Sequence, residues 1–393
     1  MKNYNFNKYS GIQPATRDAL NGLYESGGLP QIKGKWFFVD PANSTATVGG
    51  EADSPVASIE NAYDLCTSGN GDGIVLLSGG TTSAKTTSYL KQPLAWSKHG
   101  ITVVGVAAPT RMGGRARVAN KTVTTTAALT AIANTSISRA AGSFITDGWE
   151  VGMQFISNVD AAAITVTVVT ALKITCTGTL TVGAHTSITS VDTNLVTVSG
   201  DNNAFYNVHF GNFGSNVLEV GCVEVTGNRN YFGNCHLIGA GHATPAAATG
   251  AYDLKLNAAE ETTFENCTFG TDTIIRAAAN GNIVYDGTCY RNRFYGCDVI
   301  SYSATAGHGA VNIIDVTAMS GVDIFSGCRF INWKPNGYGA LTKAVIGSTP
   351  TSGHLLFDSC SFFGYTAVGA TSAVYVANSA VVASGAGGIA TTI

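Results

Sequence analysis

Phe264-Glu-Asn-Cys-Thr-Phe269 is one of six versions of a single phrase. The others are Phe205-Tyr-Asn-Val-His-Phe210, Phe232-Gly-Asn-Cys-His-Leu237, Phe294-Tyr-Gly-Cys-Asp-Val299, Phe325-Ser-Gly-Cys-Arg-Phe330 and Phe357-Asp-Ser-Cys-Ser-Phe362. Their leading Phe residues lie 27, 32, 30, 31 and 32 positions apart. A repeat of this length is the signature of stacked structural units. The first, fourth and sixth positions are apolar or Cys, and the third is Asn, Gly or Ser. A straight strand alternates its side chains, so positions four and six share a face and position one falls on the other. A bend at the third residue lets all three point inward, and Asn, Gly and Ser tolerate the backbone of a bend. Each phrase therefore reads as a corner followed by a short strand. The simplest stack of such units is an all-β parallel β-helix with neighbouring rungs about 4.8 Å apart.

Around the repeat, the chain keeps the same character. Only 12 % of its 393 residues are charged, 45 % are hydrophobic, and 47 are Gly. That is a β- and turn-rich palette with enough Phe and Tyr to fill a core. The net charge of −3 comes without a long basic run, which argues against a nucleic-acid partner. No apolar run is long enough to span a membrane, and the first residues lack a signal-peptide core.

Five of the nine Cys (Cys235, Cys267, Cys297, Cys328, Cys360) hold the fourth phrase position. Stacked with parallel Cα–Cβ vectors, they are badly oriented for disulfides. They are expected as a reduced, buried thiol ladder in a protein assembled in a cytosol, and no Cys-x-x-Cys pair suggests a metal.

Taken in order, residues 1–35 read as an N-terminal arm, with a short helix over Pro14–Ser26. Residues 36–120 form the entry to the β-helix. They hold a strand at Lys35–Val39, an amphipathic helix at Pro55–Thr67 that covers the first coil, and strands at Ile74–Leu77 and Ile101–Val106. The bridge before Lys121 carries Arg111, Arg115 and Arg117, read as a solvated connector with a phosphate or carboxylate grip as the sharper alternative. Residues 121–192 lack the phrase and alternate as short strands, so they read as an inserted small β-domain. Coils resume over 193–366. Leu195–Val198, Val223–Val225 and Leu254–Leu256 precede their Phe by seven or eight residues and supply a second strand per coil. A third strand is expected in the variable remainder. Residues 367–393 are a small-residue tail, expected to close the last coil or pair with a neighbouring subunit.

These segments carry a resemblance. Trp36-Phe-Phe-Val-Asp-Pro-Ala-Asn-Ser44, Ser54-Pro-Val-Ala-Ser-Ile-Glu-Asn-Ala62, Gly71-Asp-Gly-Ile-Val-Leu-Leu77 and Ile101-Thr-Val-Val-Gly105 resemble tailed-bacteriophage virion proteins. Those proteins have a pectate-lyase-like, right-handed, single-stranded parallel β-helix. Gly142-Ser-Phe-Ile-Thr-Asp-Gly-Trp-Glu-Val-Gly152 is similar to a small β-domain found inserted in phage structural proteins. The resemblance implies a homotrimer on a virion, assembled in the host cytoplasm. It implies either a capsid decoration or cement protein bound to the major capsid protein, or a tail spike or fibre that binds, and in some cases cleaves, host surface polysaccharide.

Candidate catalytic residues are present but form no constellation. A glycosidase needs two carboxylates about 5–10 Å apart. The outward fifth phrase position holds His209, His236, Thr268, Asp298 and Arg329, with two rungs separating His236 from Asp298. Asp315, Asp323 and Asp358 are isolated, and Glu260-Glu261 reads as a turn. His209 and His236 are expected to stack as a surface ladder rather than hold a metal. Trp333-Lys-Pro-Asn-Gly-Tyr338 is an aromatic loop suited to a sugar or a partner protein, or to covering the core edge. From the residues alone the chain is expected to be no enzyme, with no catalytic, cofactor or metal residues. The short arm and the absence of a distinct trimerisation domain favour the decoration role, with the tail spike as the alternative.

Overall fold

Three parallel sheets run along the chain, and each coil from Asn194 to Phe363 gives one strand to each. In the computed structural model, residues 32–78, 87–90, 92–107, 115–303, 307–333, 341–369 and 374–382 are described. The expected helix at Pro14–Ser26, Arg111, and residues 334–338 of the aromatic loop lie outside them. Among the described residues, sheet I has ten strands, from Trp36–Val39 through Ala204–Tyr206 and Thr263–Glu265 to Val374–Ala377. Sheet II has nine, from Thr87–Leu90 through Val208–Gly211 and Asp298–Ser301 to Ala380–Val382. Sheet III has seven, from Leu94–Trp96 through Asn194–Val198 to Val345–Gly347. The fold is an all-β parallel solenoid of about nine turns.

The expected bend lies at the third phrase position. Asn207, Asn234, Asn266, Gly296, Gly327 and Ser359 have φ of 58, 50, 52, 60, 64 and 54°. This left-handed backbone strains most L-residues and is tolerated best by Gly and Asn. It ends one strand and starts the next on a different sheet. The third strand of each coil is therefore not in the variable remainder, as expected, but in the first half of the phrase. Phe205 lies in Ala204–Tyr206 of sheet I, and His209 and Phe210 in Val208–Gly211 of sheet II.

The register makes each inward position a column. Phe205 pairs with Phe232, then Phe264, Phe294, Phe325 and Phe357. The rings stack at centroid distances of 4.8, 4.9, 4.7, 4.2 and 4.9 Å. All six are fully buried, at about 1.5–3 kcal/mol each. All nine Cys are free and buried. In the ladder each thiol donates to the Phe carbonyl one coil back, as Cys267 Sγ does to Phe232 O at 3.2 Å.

A second internal column had not been expected. It lies two residues before four of the Phe, at Asn203, Asn230, Asn292 and Asp323. Asn203 Oδ1 accepts from Ile101 N at 2.9 Å, Asn230 Oδ1 from Asn203 N at 2.9 Å, and Asp323 Oδ1 from Asn292 N at 2.9 Å. These side chains satisfy buried backbone N–H groups where the chain turns into sheet I.

At the N-terminal end, the helix Ile59–Leu65 is capped by Ser58 Oγ, which accepts from Asn61 N at 3.3 Å. It buries Ile59, Ala62 and Tyr63 against the end of the core. Tyr63 packs on Trp96 at 4.4 Å and Trp96 on Phe205 at 5.1 Å, which links the plug to the Phe column.

Between Asn120 and Asp192 the chain forms a closed antiparallel six-stranded barrel, spanning Thr124–Ala133 to Gly183–Ser190. Its core holds Phe144, Trp149, Phe155, Ile137, Ile174 and Ile188. Ser143 caps the turn Phe144–Asp147, and Gly148 ends it at φ 98°. Trp149 Nε1 then donates to Thr125 Oγ1 at 2.9 Å, and that hydroxyl donates to Asp147 Oδ2 at 2.5 Å.

Candidate functional site

The corner residues decide which side chains reach solvent. Because the third phrase position turns the chain, the second position faces outward on sheet I and the fifth outward on sheet II. These two outer faces flank the Asn207–Asn234–Asn266 edge.

The fifth positions fall as expected. His209 pairs with His236, His236 with Thr268, Thr268 with Asp298, Asp298 with Arg329, and Arg329 with Ser361. The His209 and His236 rings stack at 4.6 Å, and His236 Nε2 lies 2.9 Å from Gly270 O. Burial first, and then the Arg115 and Arg117 charges, push the His236 pKa below its ordinary value. Asp298 is taken up by Arg329, which donates from Nε at 2.6 Å and from Nη2 at 2.7 Å.

The other candidates are scattered. Asp315 Oδ1 accepts from Thr317 N at 3.0 Å and closes a local turn. Asp358 Oδ1 accepts from Asn378 Nδ2 at 3.1 Å on the surface. Asp323 is buried in the internal column, where burial raises its carboxyl to about 6. Glu261 lies between Arg229 at 2.5 Å and Arg291 at 2.8 Å, one short charge ladder. Trp333 is 43 % exposed at the end of its strand. Among the described residues, no group of three or more His, Cys, Asp or Glu is placed to hold a metal ion.

Sequence reasoning missed the outer face of sheet I. There Tyr206 and Tyr231 lie with ring centroids 5.2 Å apart. Gly233 sits between them, and a Cβ on it would come within 2.7 Å of the Tyr231 ring and 3.1 Å of the Tyr206 ring. The bare glycine lets both rings lie over the sheet. Tyr231 Oη donates to Glu265 Oε2 at 2.6 Å, one rung on. Tyr295, next in the register after Glu265, is 39 % exposed. The signal was present in the phrase: its second position reads Tyr, Gly, Glu, Tyr, Ser, Asp.

Two buried polar assemblies were missed as well. Arg276, Asn280, His308, Ser301, Asn282 and Asp253 form a closed hydrogen-bonded ring. Arg276 Nη2 lies 2.5 Å from Asp253 Oδ2, His308 Nδ1 2.9 Å from Asn280 Oδ1, and His308 Nε2 3.0 Å from Ser301 Oγ. Ser301 Oγ donates to Asn282 Oδ1 at 2.6 Å, and Asn282 Nδ2 to Asp253 Oδ2 at 2.8 Å. The Ser301–His308–Asn280 chain has the connectivity of a nucleophile relay, but all three residues are 0 % exposed, so the ring braces the turns between sheets II and III. The second assembly joins Asp192 and Glu219, both buried. Glu219 Oε1 accepts from Asn120 Nδ2 at 3.3 Å and from Asp192 N at 3.4 Å. Glu219 thereby ties together the two ends of the inserted barrel. Burial, with Glu219 and Glu60 nearby, raises Asp192 to about 8.

No family model matches the chain, and no curated protein is similar to it in sequence. Among solved structures it is similar to the pectin methylesterase of Aspergillus niger, with 14 % identity and a TM-score of 0.45 over 90 % of this chain and 86 % of that one. A pectin methylesterase of Erwinia chrysanthemi gives 12 % and 0.42 over 86 % and 82 %. A rhamnogalacturonan lyase gives 13 % and 0.43 over 84 % and 69 %. These findings correct one expectation. The chain was read as no enzyme because its repeat carries no catalytic motif, yet the solved β-helices it is similar to are named as enzymes. The non-enzymatic reading is withdrawn.

Proposed function

We propose that this protein is a polysaccharide-engaging β-helix of the bacteriophage tail-spike type, which contacts host surface glycan through the outer face of sheet I. The observation that carries the reading is the Tyr206–Tyr231–Glu265 surface over Gly233. Sugars present apolar C–H faces and polar hydroxyl edges. They are held by aromatic rings with a few fixed polar groups beside them. Here the rings are held by packing and by the Tyr231–Glu265 hydrogen bond, so little side-chain freedom is lost on binding. The strands beneath are pinned on both sides by parallel neighbours, which gives a rigid platform with a repeat of about 4.8 Å, near the length of one sugar unit. In this reading the protein sits on the virion as a homotrimer, with its long axis presenting several rungs to one glycan chain. The tail-spike alternative is preferred to the capsid-cement expectation because outward aromatic rings beside a fixed carboxylate suit a glycan.

The test is binding to polysaccharide purified from the host surface, with release of new chain ends measured in the same samples. Saturable binding that falls at least tenfold in Tyr231→Ala supports the reading, on the scale of one lost aromatic contact. Absence of binding by the wild-type protein, or binding indifferent to both Tyr206→Ala and Tyr231→Ala, would overturn it.

A further inference from the structure

We propose that the first rungs of sheet II form a second subsite, one that recognises the carboxylate of an acidic sugar through Arg117 above the ring of Phe213. The proposal rests on the glycan reading above and names the substrate class as an acidic polysaccharide.

Arg117 faces outward, paired in register with Thr87 on one side and His209 on the other. Its guanidinium carbon stands 5.4 Å from the centre of the Phe213 ring. Phe213 is 37 % exposed, unusual for a Phe in this chain, whose phrase-leading Phe side chains are all buried. A Cβ on Gly211 would come within 2.3 Å of its ring, and one on Gly241 within 2.5 Å, so two glycines make the bed on which the ring lies. His209 meets the same ring edge-on at 6.1 Å and stacks on His236 at 4.6 Å. The result is an aromatic floor with a guanidinium and two imidazoles at its margin.

The charge balance points to an anion. Arg139, Arg229, Arg276, Arg291 and Arg329 each meet a carboxylate. Among the described residues, Arg117 meets none, nor does the exposed Arg293, but only Arg117 has an Nε shielded from solvent without a protein acceptor. Arg115, nearby, donates to the Asn234 carbonyl at 2.7 Å and to Asn234 Oδ1 at 2.9 Å, so it too keeps its charge uncompensated. A planar guanidinium held near a ring offers a fork of N–H groups that matches a planar carboxylate. A uronic acid supplies both halves at once: a C–H face for Phe213 and a carboxylate for Arg117. Tyr206 and His209 flank the same Asn207 corner, which sets this subsite beside the Tyr206–Tyr231–Glu265 platform of sheet I.

The experiment is calorimetric titration of the full chain with a hexamer of uronic acid and with the same hexamer after its carboxyl groups are reduced to neutral hydroxymethyls. The acidic form is expected to bind about tenfold tighter, as one charge-assisted bidentate contact allows. Arg117→Met, which keeps the stem, should erase that preference, so that the two hexamers bind alike. Arg117→Lys should lose most of it, because a point charge lacks the fork. Phe213→Ala should weaken both forms. Equal affinity of the two hexamers for the wild type, or a preference that survives in Arg117→Met, would overturn the subsite while leaving the sheet I reading intact if Tyr231→Ala still weakens both. Failure of both hexamers to bind would overturn the subsite, while the sheet I reading stands or falls on its own titration with host polysaccharide.

Discussion

Asn234 donates its side-chain amide to Asn207 Oδ1 at 2.7 Å, one rung away, and both residues hold a left-handed backbone. This corner is thus fixed twice, by a conformation few residues accept and by a bond to the neighbouring corner. Arg115 adds two bonds to the same Asn234.

Replacing Asn234 separates these contributions. Asn234→Ala should cost about 2–3 kcal/mol, with about 1–2 from the left-handed backbone and about 1 from the lost side-chain bonds. Asn234→Gly should recover the backbone part and lose only the bonds. Chemical denaturation of the two variants checks this. Equal losses would show that the backbone conformation contributes nothing.

The thiol column predicts both chemistry and folding. All nine Cys are buried, so a reagent in solution has no access to their sulfur atoms. A thiol reagent should label none of the nine Cys in the native protein and all of them after denaturation. Cys297→Ala should cost about 1 kcal/mol. Cys297→Asp should prevent folding, because Cys297 is 0 % exposed and an unpaired carboxylate there has no compensating partner. Soluble, folded Cys297→Asp would place that position outside the core.

Periodicity made the scaffold legible because inward positions must repeat. Phe, Cys and the corner Asn or Gly recur at fixed offsets, since one slip would break a column. The Asn203–Asn230–Asn292–Asp323 column obeyed the same period, yet its residue type changes and it reads as ordinary surface polarity. The candidate surfaces were less visible for a related reason. Outward positions are free to vary, so Tyr206, Gly233 and Glu265 share a register without sharing a chemistry. Phe213 lies outside the phrase altogether, and only the packing of Gly211 and Gly241 beneath it shows that it is held in place. The Asp192–Glu219 contact joins residues on either side of an inserted barrel, a distance no local pattern reports.

That contact makes stability depend on pH in a definite direction. Asp192 ordinarily titrates at 3.8 but reaches about 8 in the fold, and Glu219 is raised as well, both first by burial. Between those values the folded chain keeps a proton that the unfolded chain has released. Raising the pH therefore lowers stability across the window from about 4 to about 8, and this contribution is complete only below the unfolded pKa. Asp323, raised to about 6, adds to the lower half of the same slope. Asp147 acts oppositely: the Thr125 hydrogen bond and then Arg139 hold it below 3.8, so its contribution is lost only in stronger acid. The melting temperature should fall from pH 5 to pH 8.5, and Asp192→Asn should flatten the decline. An unchanged slope in Asp192→Asn would rule out Asp192 as its source.

Two arginine–aspartate pairs test how burial sets the worth of a contact. Arg329 reaches Asp298 through two bonds, at 2.6 and 2.7 Å, but its side chain is 62 % exposed. Arg276 reaches Asp253 at 2.5 Å with side chains 4 % and 0 % exposed. In water the first pair is screened, so Arg329→Met should change stability by less than about 1 kcal/mol. Arg276→Met leaves Asp253 buried without its charge partner and opens the ring through Asn280 and His308, so a loss of about 3–5 kcal/mol is expected. Adding Asp253→Asn to Arg276→Met removes the stranded charge and should recover part of that loss, since Asn can still accept from Gly239 N, which now bonds Asp253 Oδ1 at 2.8 Å. Urea denaturation of the three variants decides the matter. If Arg276→Met and Arg329→Met proved equally mild, the ring would be an incidental contact and the turns between sheets II and III would be held by their backbone alone.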